Sequence, residues 1–498
     1  MTNATRAAVR AAGLMSLVLA AACATVPPID RYLLETEPTP VELKGAHGVL
    51  SHAQSAKILA DLKARSPDTA IFDRHVAIEQ TLAGTPLSVG NRATLLEDGP
   101  ATYAAMLAAI RAARSSIHLE MYIFEGSEIG QEFGDALAAR CKAGVKVRVI
   151  YDSVGSIDTP KEFFEGLKRS GVEVAEYNPV SPAGVLEKGI ALDHRDHRKL
   201  VVVDGRVAFL GGINISKVYG PLKRGPAGST PSGGGASAST SGGTGGSAAG
   251  AAKGAPQEGT LADRPPLDRP WRDTMVKLEG PVVAELQHAF LAQWAKVRKE
   301  TPLTDPALFP HLAEVGHDVV RAMPGSPDDG IDPAYVALIS AIESAETRVR
   351  ITNAYFVPAR ELVEALERAA RRGVDVQMIL PSLSDNWIVL QAGHVHYEDL
   401  LEAGVKIYER EHRLLHAKTA TVDGVWSTVG STNLDWRSLQ HNDELNAVVL
   451  GPEFAASMDA VFDKDRTHST AITRESWAQR PLADRLKERA ARCWSLFL

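Results

Sequence analysis

One short pattern occurs twice in this chain and constrains what it can fold into. His197-Arg-Lys199-Leu-Val-Val-Val-Asp204 is followed by Gly211-Gly212-Ile-Asn214. His416-Ala-Lys418-Thr-Ala-Thr-Val-Asp423 is followed by Gly430-Ser431-Thr-Asn433. Histidine and asparagine recur at one constant offset, 219 positions. Longer stretches repeat around them. The run from Tyr103 aligns with that from Tyr335, and Ala136–Asp152 parallels Ala365–Pro381. The chain is therefore an internal duplication. Two copies of one domain pack about a pseudo-twofold axis, so anything on that axis is built from both halves.

Strand geometry says what each copy presents. Positions two apart face the same way, so His197 points with Lys199 and His416 with Lys418. Asp204-Gly205 and Asp423-Gly424 are hairpin dipeptides. The chain then returns as a second strand (Val207–Leu210, Val425–Val429). It ends at small residues, Gly212 and Ser431 among them, that let backbone approach a ligand. Asn214 and Asn433 lie just beyond. Each half offers one imidazole, one ammonium and one amide near a single point. Metal-free phosphodiester transfer needs such groups. One histidine attacks phosphorus and a second moves the proton of the leaving and entering oxygens. The lysines and asparagines stabilise charge on the other phosphate oxygens. One half holds one histidine, and duplication supplies the second. The two imidazoles should then lie about 5–7 Å apart, the span of a phosphate with in-line oxygens. Glu444 in the second half and Asp273 in the first are expected to orient the imidazoles. Asp204 and Asp423, at turns, are expected to stabilise those turns.

The surrounding pattern alternates. Helical spacing at Tyr103–Ala113, Glu128–Ala143 and Glu162–Ser170 is interleaved with β-rich runs at Ile117–Phe124, Val145–Tyr151 and Val172–Tyr177. This predicts an α/β fold with two pseudo-twofold related α/β sandwich lobes, each around a central, mostly parallel mixed sheet. The lobes are placed at 91–300 and 318–470, with the boundary in Thr301–His317. Residues 24–90 read as a linker and helices (Ser55–Arg65, Ile71–Leu82), and 471–498 as a tail. Residues 225–262 are rich in Gly, Ser, Ala and Thr. They read as a disordered insertion within the first lobe.

Composition narrows the function classes. With 54 Lys and Arg against 61 Asp and Glu, net −7, the chain lacks the basic excess of a nucleic-acid binder. The three cysteines, Cys23, Cys141 and Cys493, form neither a disulfide framework nor a zinc pattern. Cys141, in a helical run, reads as an inert thiol. His194, Asp196 and His197 do not make a metal site, because neighbours on a strand alternate faces. No cofactor is implied. Tyr122 and Tyr355 end matching β runs and belong to the core or a cleft. Arg437 and Asp435 are expected to pair. The N-terminus has Arg6 and Arg10, a short apolar stretch to Ala22, and then Cys23. This reads as a secretory signal whose Leu-Ala-Ala-Ala-Cys end resembles a bacterial lipidation site at Cys23, with an ordinary cleaved signal or an uncleaved anchor as the alternatives. No other segment is apolar enough to span a bilayer, so further membrane contact would be peripheral.

The paired motifs resemble the phospholipase D superfamily, whose signature is a duplicated H-x-K-x4-D with G-[GS]-x-N, over roughly Thr94 to Arg466. The runs beginning at Trp271, Leu415 and Gly430 look like those of bacterial cardiolipin synthases. The resemblance implies two packed α/β lobes, one shared site and a phosphohistidine, with His197 as nucleophile and His416 as acid/base. The pseudo-symmetric residues alone cannot order the two. The implied substrate is phosphatidylglycerol or a similar phospholipid at a membrane surface. No oligomer is required, since one chain builds the site. The implied location is the bacterial cell envelope, as an exported lipoprotein facing the periplasm. A phospholipase D hydrolase, or a phosphodiesterase or nuclease of the same superfamily, is the alternative. A catalytically dead lipid-binding lipoprotein is disfavoured by the intact His, Lys and Asn of both halves.

Overall fold

The computed structural model describes residues 41–67, 69–180, 194–221, 269–330 and 332–492. The signal-like segment with Cys23, the insertion at 225–262 and Cys493 lie outside the described residues. Eighteen strands are seen among the described residues. They are β1 (Leu43–Gly45), β2 (Gly48–Val49), β3 (Leu87–Glu97), β4 (Ser116–Met121), β5 (Lys146–Asp152), β6 (Glu173–Tyr177), β7 (Arg195–Asp196), β8 (Lys199–Val203) and β9 (Val207–Gly211), then β10 (Thr274–Glu279), β11 (Asp318–Gly325), β12 (Arg348–Asn353), β13 (Asp375–Pro381), β14 (Lys406–Arg410), β15 (Lys418–Val422), β16 (Trp426–Gly430), β17 (Asn442–Leu450) and β18 (Ser469–Ile472).

The duplication is visible in the strand order. The first lobe reads β6-β5-β4-β8-β9-β10-β3. The second reads β14-β13-β12-β15-β16-β17-β11, with β18 added on β14. In each main sheet three strands run parallel, β4–β6 and β12–β14, and the other neighbours are antiparallel. The expected mostly parallel sheet is thus corrected to a mixed sheet with an antiparallel majority. The reason is the connections. Parallel neighbours need a crossover, which helices Glu128–Lys142 and Lys161–Arg169 supply in the first lobe. The motif strands are joined by tight Asp-Gly turns with three residues between the last paired positions, and connections so short allow antiparallel pairing alone.

Those turns need positive φ at both central residues. Asp204 and Gly205 sit at +54° and +60°, and Asp423 and Gly424 at +51° and +67°. The aspartates also fasten each hairpin to the next strand. Asp204 accepts the N–H groups of Arg114, Ser115 and Ser116 at 2.7–3.0 Å. Asp423 accepts those of Glu346, Thr347 and Arg348 at 2.8–3.0 Å.

The hairpin strands are apolar on both faces because each face meets a different core. Val201, Val203 and Phe209 enter the first lobe's core with Tyr103 and Phe133. Their neighbours Leu200, Val202 and Leu210 enter a core between the lobes, with Val276, Leu278, Val429, Leu445 and Ala447. Each such fully buried Val or Leu stabilises by roughly 1.5–3 kcal/mol, so the lobes meet as a protein interior. The second lobe's own core gathers around Tyr335 and Trp426.

β3 joins the two sheets. Arg92–Glu97 pairs with β10 of the first lobe, while Ser88 and Asn91 pair with β11 of the second. Gly90, between them, has φ +81°, and a Cβ there would lie 2.4 Å from the Glu314 side chain. The buried Asn91 amide donates to Ser88 O and accepts from Val282 N, each at 2.8 Å. Before β3, helix His52–Arg65 starts at a Ser51 capping box. The expected helix at Ile71–Leu82 instead begins with a π-turn, Ile71–His75, before Val76–Ala83.

Candidate active site

Each motif histidine is held by backbone of the opposite lobe. β7 pairs in parallel with the start of β17, and the His197 N–H donates to Asp443 O at 2.9 Å. Leu415 bridges in parallel to Arg272, and the His416 N–H donates to Arg272 O at 2.7 Å. The residue after each accepting carbonyl is a carboxylate. Glu444 therefore reaches His197 Nδ1 at 2.9 Å, and Asp273 reaches His416 Nδ1 at 2.7 Å. Both carboxylates named from the sequence are at the histidines, but the pairing crosses between lobes. A carboxylate only accepts, so each Nδ1 carries the proton. That leaves Nε2 as the nitrogen with a lone pair.

The other motif groups surround this pair. The Lys199 and Lys418 ammonium groups donate to the carbonyls of His197 and His416, both at 2.5 Å. Lys418 Nζ is also 3.0 Å from His416 Nδ1. Gly212 lacks a side chain for a clear reason, since a Cβ there would lie 2.1 Å from Asp273 Oδ1. Its counterpart Ser431 accepts the Leu445 N–H at 2.9 Å, next to Glu444. Asn214 accepts from Ile123 N at 2.9 Å and donates to the Tyr219 hydroxyl at 3.3 Å. Asn433 has its backbone N–H on Ser438 Oγ at 3.2 Å.

His197, His416, Asn214 and Asn433 line one cleft of about 440 Å³, open to solvent. Tyr122 and Tyr355 belong to this cleft. Tyr122 stands edge-on to His197, centroids 5.1 Å apart, and Tyr355 edge-on to His416 at 6.0 Å. Trp271 lies 5.4 Å from His416. Asp435 caps helix Trp436–Gln440 through Ser438 N at 2.8 Å. Burial pushes its carboxyl up to about 7 against the pull of Arg437. Asp196 is buried, and burial and then Glu120 drive it well above the ordinary carboxyl range. His194 lies 6.0 Å from the His441 ring.

Sequence reasoning missed three groups. The Tyr219 hydroxyl lies 3.2 Å from His416 Nδ1. Ser438 Oγ and Asn442 Nδ2 donate to Glu444 Oε1 at 2.7 and 3.2 Å. Asn442, two before Glu444 on one strand, shares its face and could have been found. Tyr219 and Ser438 stand at the same offset of 219 positions, each five residues after the motif asparagine, but differ in residue type, so the repeat did not mark them.

The electrostatics suit a phosphate. Burial lowers the His197 pKa to about 3, helped by Lys199 and Lys418 and opposed by Glu444. His416 is also lowered, by burial and then Lys418. Burial brings Lys199 down to about 7, with Lys418 adding repulsion, and brings Lys418 down to about 8. Burial alone would raise the Glu444 carboxyl, but His197 and Lys199 hold it below its usual value. Burial thus disfavours gathering four positive charges in the cleft. A pH dependence follows. A lysine with a lowered pKa loses its charge as pH rises through that value. kcat/KM for a soluble nitrophenyl phosphodiester should fall above about pH 7 as Lys199 loses its charge, by about tenfold per unit, and more steeply above about pH 8 as Lys418 follows. A profile flat through about pH 9.5 would contradict the charge assignment.

Comparisons with known proteins agree with this geometry. A family model described as "Cardiolipin synthase, PLD-like domain" matches residues 106–219 and 338–466. The chain is 32% identical over 418 residues to a cardiolipin synthase of Halalkalibacterium halodurans, covering 84% of this chain and 74% of that one. It is 31% identical over 412 residues to the major cardiolipin synthase of Bacillus subtilis, covering 82% and 76%. A crystal structure of phosphatidylserine synthase from Haemophilus influenzae Rd KW20 superposes with a TM-score of 0.59 at 14% identity, covering 84% and 99%, and shares the fold.

Proposed function

Because this chain belongs to the cardiolipin synthase family of phospholipase D-like proteins, we propose that it transfers a phosphatidyl group between phosphatidylglycerol molecules. His197 Nε2 attacks phosphorus, forming an N–P bond while the P–O bond to glycerol breaks. His416, protonated as the anionic substrate enters, gives its proton to the departing glycerol oxygen. The hydroxyl of a second phosphatidylglycerol then returns a proton to His416 and attacks. The N–P bond breaks, cardiolipin forms and His197 is restored. Lys199, Lys418, Asn214 and Asn433 would stabilise the other phosphate oxygens. One P–O ester bond replaces another, so no nucleotide is needed to drive the exchange.

The observation that supports this reading best is the pair of imidazoles in one cleft, each with Nδ1 fixed by a buried carboxylate. The order of the two histidines rests on family resemblance. No helix among the described residues is long and apolar enough to cross a membrane. In this reading a lipid on Cys23 and peripheral contact hold the exported enzyme at the periplasmic face of the envelope. The test is incubation with phosphatidylglycerol vesicles, with and without added alcohol, and mass analysis of the lipids. Cardiolipin and free glycerol are expected. Phosphatidic acid as the sole product would replace transferase with hydrolase.

A further inference from the structure

The proposed reaction brings together two lipids that each carry a phosphodiester monoanion. The motif groups serve one phosphate. Lys199 and Lys418 are fully buried behind the histidines whose carbonyls they hold. The acceptor's phosphate must lie a three-carbon bridge away from the first. Like charges so close in a partly dehydrated cleft repel strongly unless a cation offsets them. Transfer to water makes no such demand.

The cleft has cations placed for this task. Among the described residues lining it, they are Arg195 and Arg437, one from each lobe. Arg195 lies two residues before His197, on β7. Its Nη1 donates to Ser153 Oγ at 3.1 Å and is 3.5 Å from Asp152 Oδ1. That carboxylate is shared, because it also accepts the N–H groups of Val154, Gly155 and Asp196 at 2.8–3.0 Å. Arg437 lies on the helix that follows Asn433 and is half-buried. Its neighbour Asp435 caps that helix and feels the Arg437 charge as well. Both arginines act on the Tyr122 phenol, which burial pushes up to about 12 while Arg437 and Arg195 pull it down. Both line the same cleft as the two histidines. A guanidinium presents a fork of N–H donors that matches a phosphate's oxygens.

We propose that Arg195 and Arg437 form a second anion subsite in the cleft, which takes the phosphodiester of the acceptor lipid. This rests on the transferase reading and deepens it. It explains how a site built around one phosphate favours an anionic lipid alcohol over water or a neutral alcohol.

The test uses the full chain, with a phosphatidyl nitrophenyl ester as donor in mixed micelles. Phosphatidylglycerol and plain glycerol are offered as competing acceptors. The readout is the ratio of the two transfer products, which a loss of fold or of donor binding leaves unmoved. Arg437→Gln should lower the phosphatidylglycerol-to-glycerol ratio by about tenfold or more, through KM for the anionic acceptor. Arg437→Lys should recover part of that ratio. Arg195→Gln should act in the same direction, but Arg195 is buried, so Arg437 decides the matter alone. An unchanged ratio in Arg437→Gln, with cardiolipin still formed, overturns the subsite and leaves the transferase standing. Equal loss with both acceptors assigns the arginine to the donor phosphate and also overturns it. A wild-type enzyme unable to use phosphatidylglycerol as acceptor sinks both readings.

Discussion

His197→Ala is expected to lower phospholipid turnover by about a thousandfold or more, and His416→Ala to do the same. One cleft holds both imidazoles, and among the described residues lining it there is no third histidine. The variants should differ in what they trap. Without His197 no N–P bond forms, so no phosphorylated enzyme accumulates with any substrate. His416→Asn removes the proton donor and leaves the nucleophile. With a nitrophenyl phosphodiester the leaving phenolate needs no proton. That variant should release about one equivalent of nitrophenolate and stall, with the label on residue 197. Acid-quench mass spectrometry reads the outcome. A label on residue 416 in the wild-type enzyme would exchange the two roles and leave the chemistry intact. Full activity in either alanine variant would remove the phosphohistidine altogether.

Crossed carboxylates give the second large effect. Glu444→Gln keeps the shape of the side chain but not its charge, and its amide can turn to donate to Nδ1. The His197 proton would then sit on Nε2, where the lone pair is needed. A loss of about 10²–10⁴-fold is expected, the scale seen when a histidine's carboxylate partner becomes an amide. Asp273→Asn should cost a similar factor through His416. Leaving-group dependence separates the two. In Glu444→Gln a nitrophenyl ester should recover little rate, because attack itself is impaired. In Asp273→Asn it should recover much, because the lost step is proton donation. The opposite pattern, with Asp273→Asn resembling His197→Ala, would refute the crossed assignment.

The sequence exposed the parts of this site more fully than their arrangement. Histidine, lysine and asparagine announce themselves by recurring in register. Asp204 and Asp423 were legible as turn residues, because Asp-Gly favours the positive φ that both turns adopt. Glu444 and Asp273 were legible as carboxylates but not as partners. Glu444 lies 247 positions from His197, and Asp273 lies 143 from His416. Their pairing depends on strands of opposite lobes meeting side by side, and no local pattern encodes that. The excess of antiparallel strands was obscured for a related reason. The hairpins were legible from their Asp-Gly turns, but the antiparallel pairing of β4 with β8, β12 with β15 and β3 with β10 joins strands far apart in sequence.

β3 removes a degree of freedom from the molecule. Enzymes with a cleft between two lobes commonly admit ligands by swinging the lobes apart. Here that swing would pull β3 from its neighbour in one lobe or the other and would open an apolar interior to water. The aperture is therefore of constant width. A lipid does not have to be engulfed, because only its phosphate must reach the histidines while the acyl chains stay outside. Turnover would then be paced by the lateral arrival of headgroups at the entrance and by the bond-making steps, with no clamshell cycle between successive lipids.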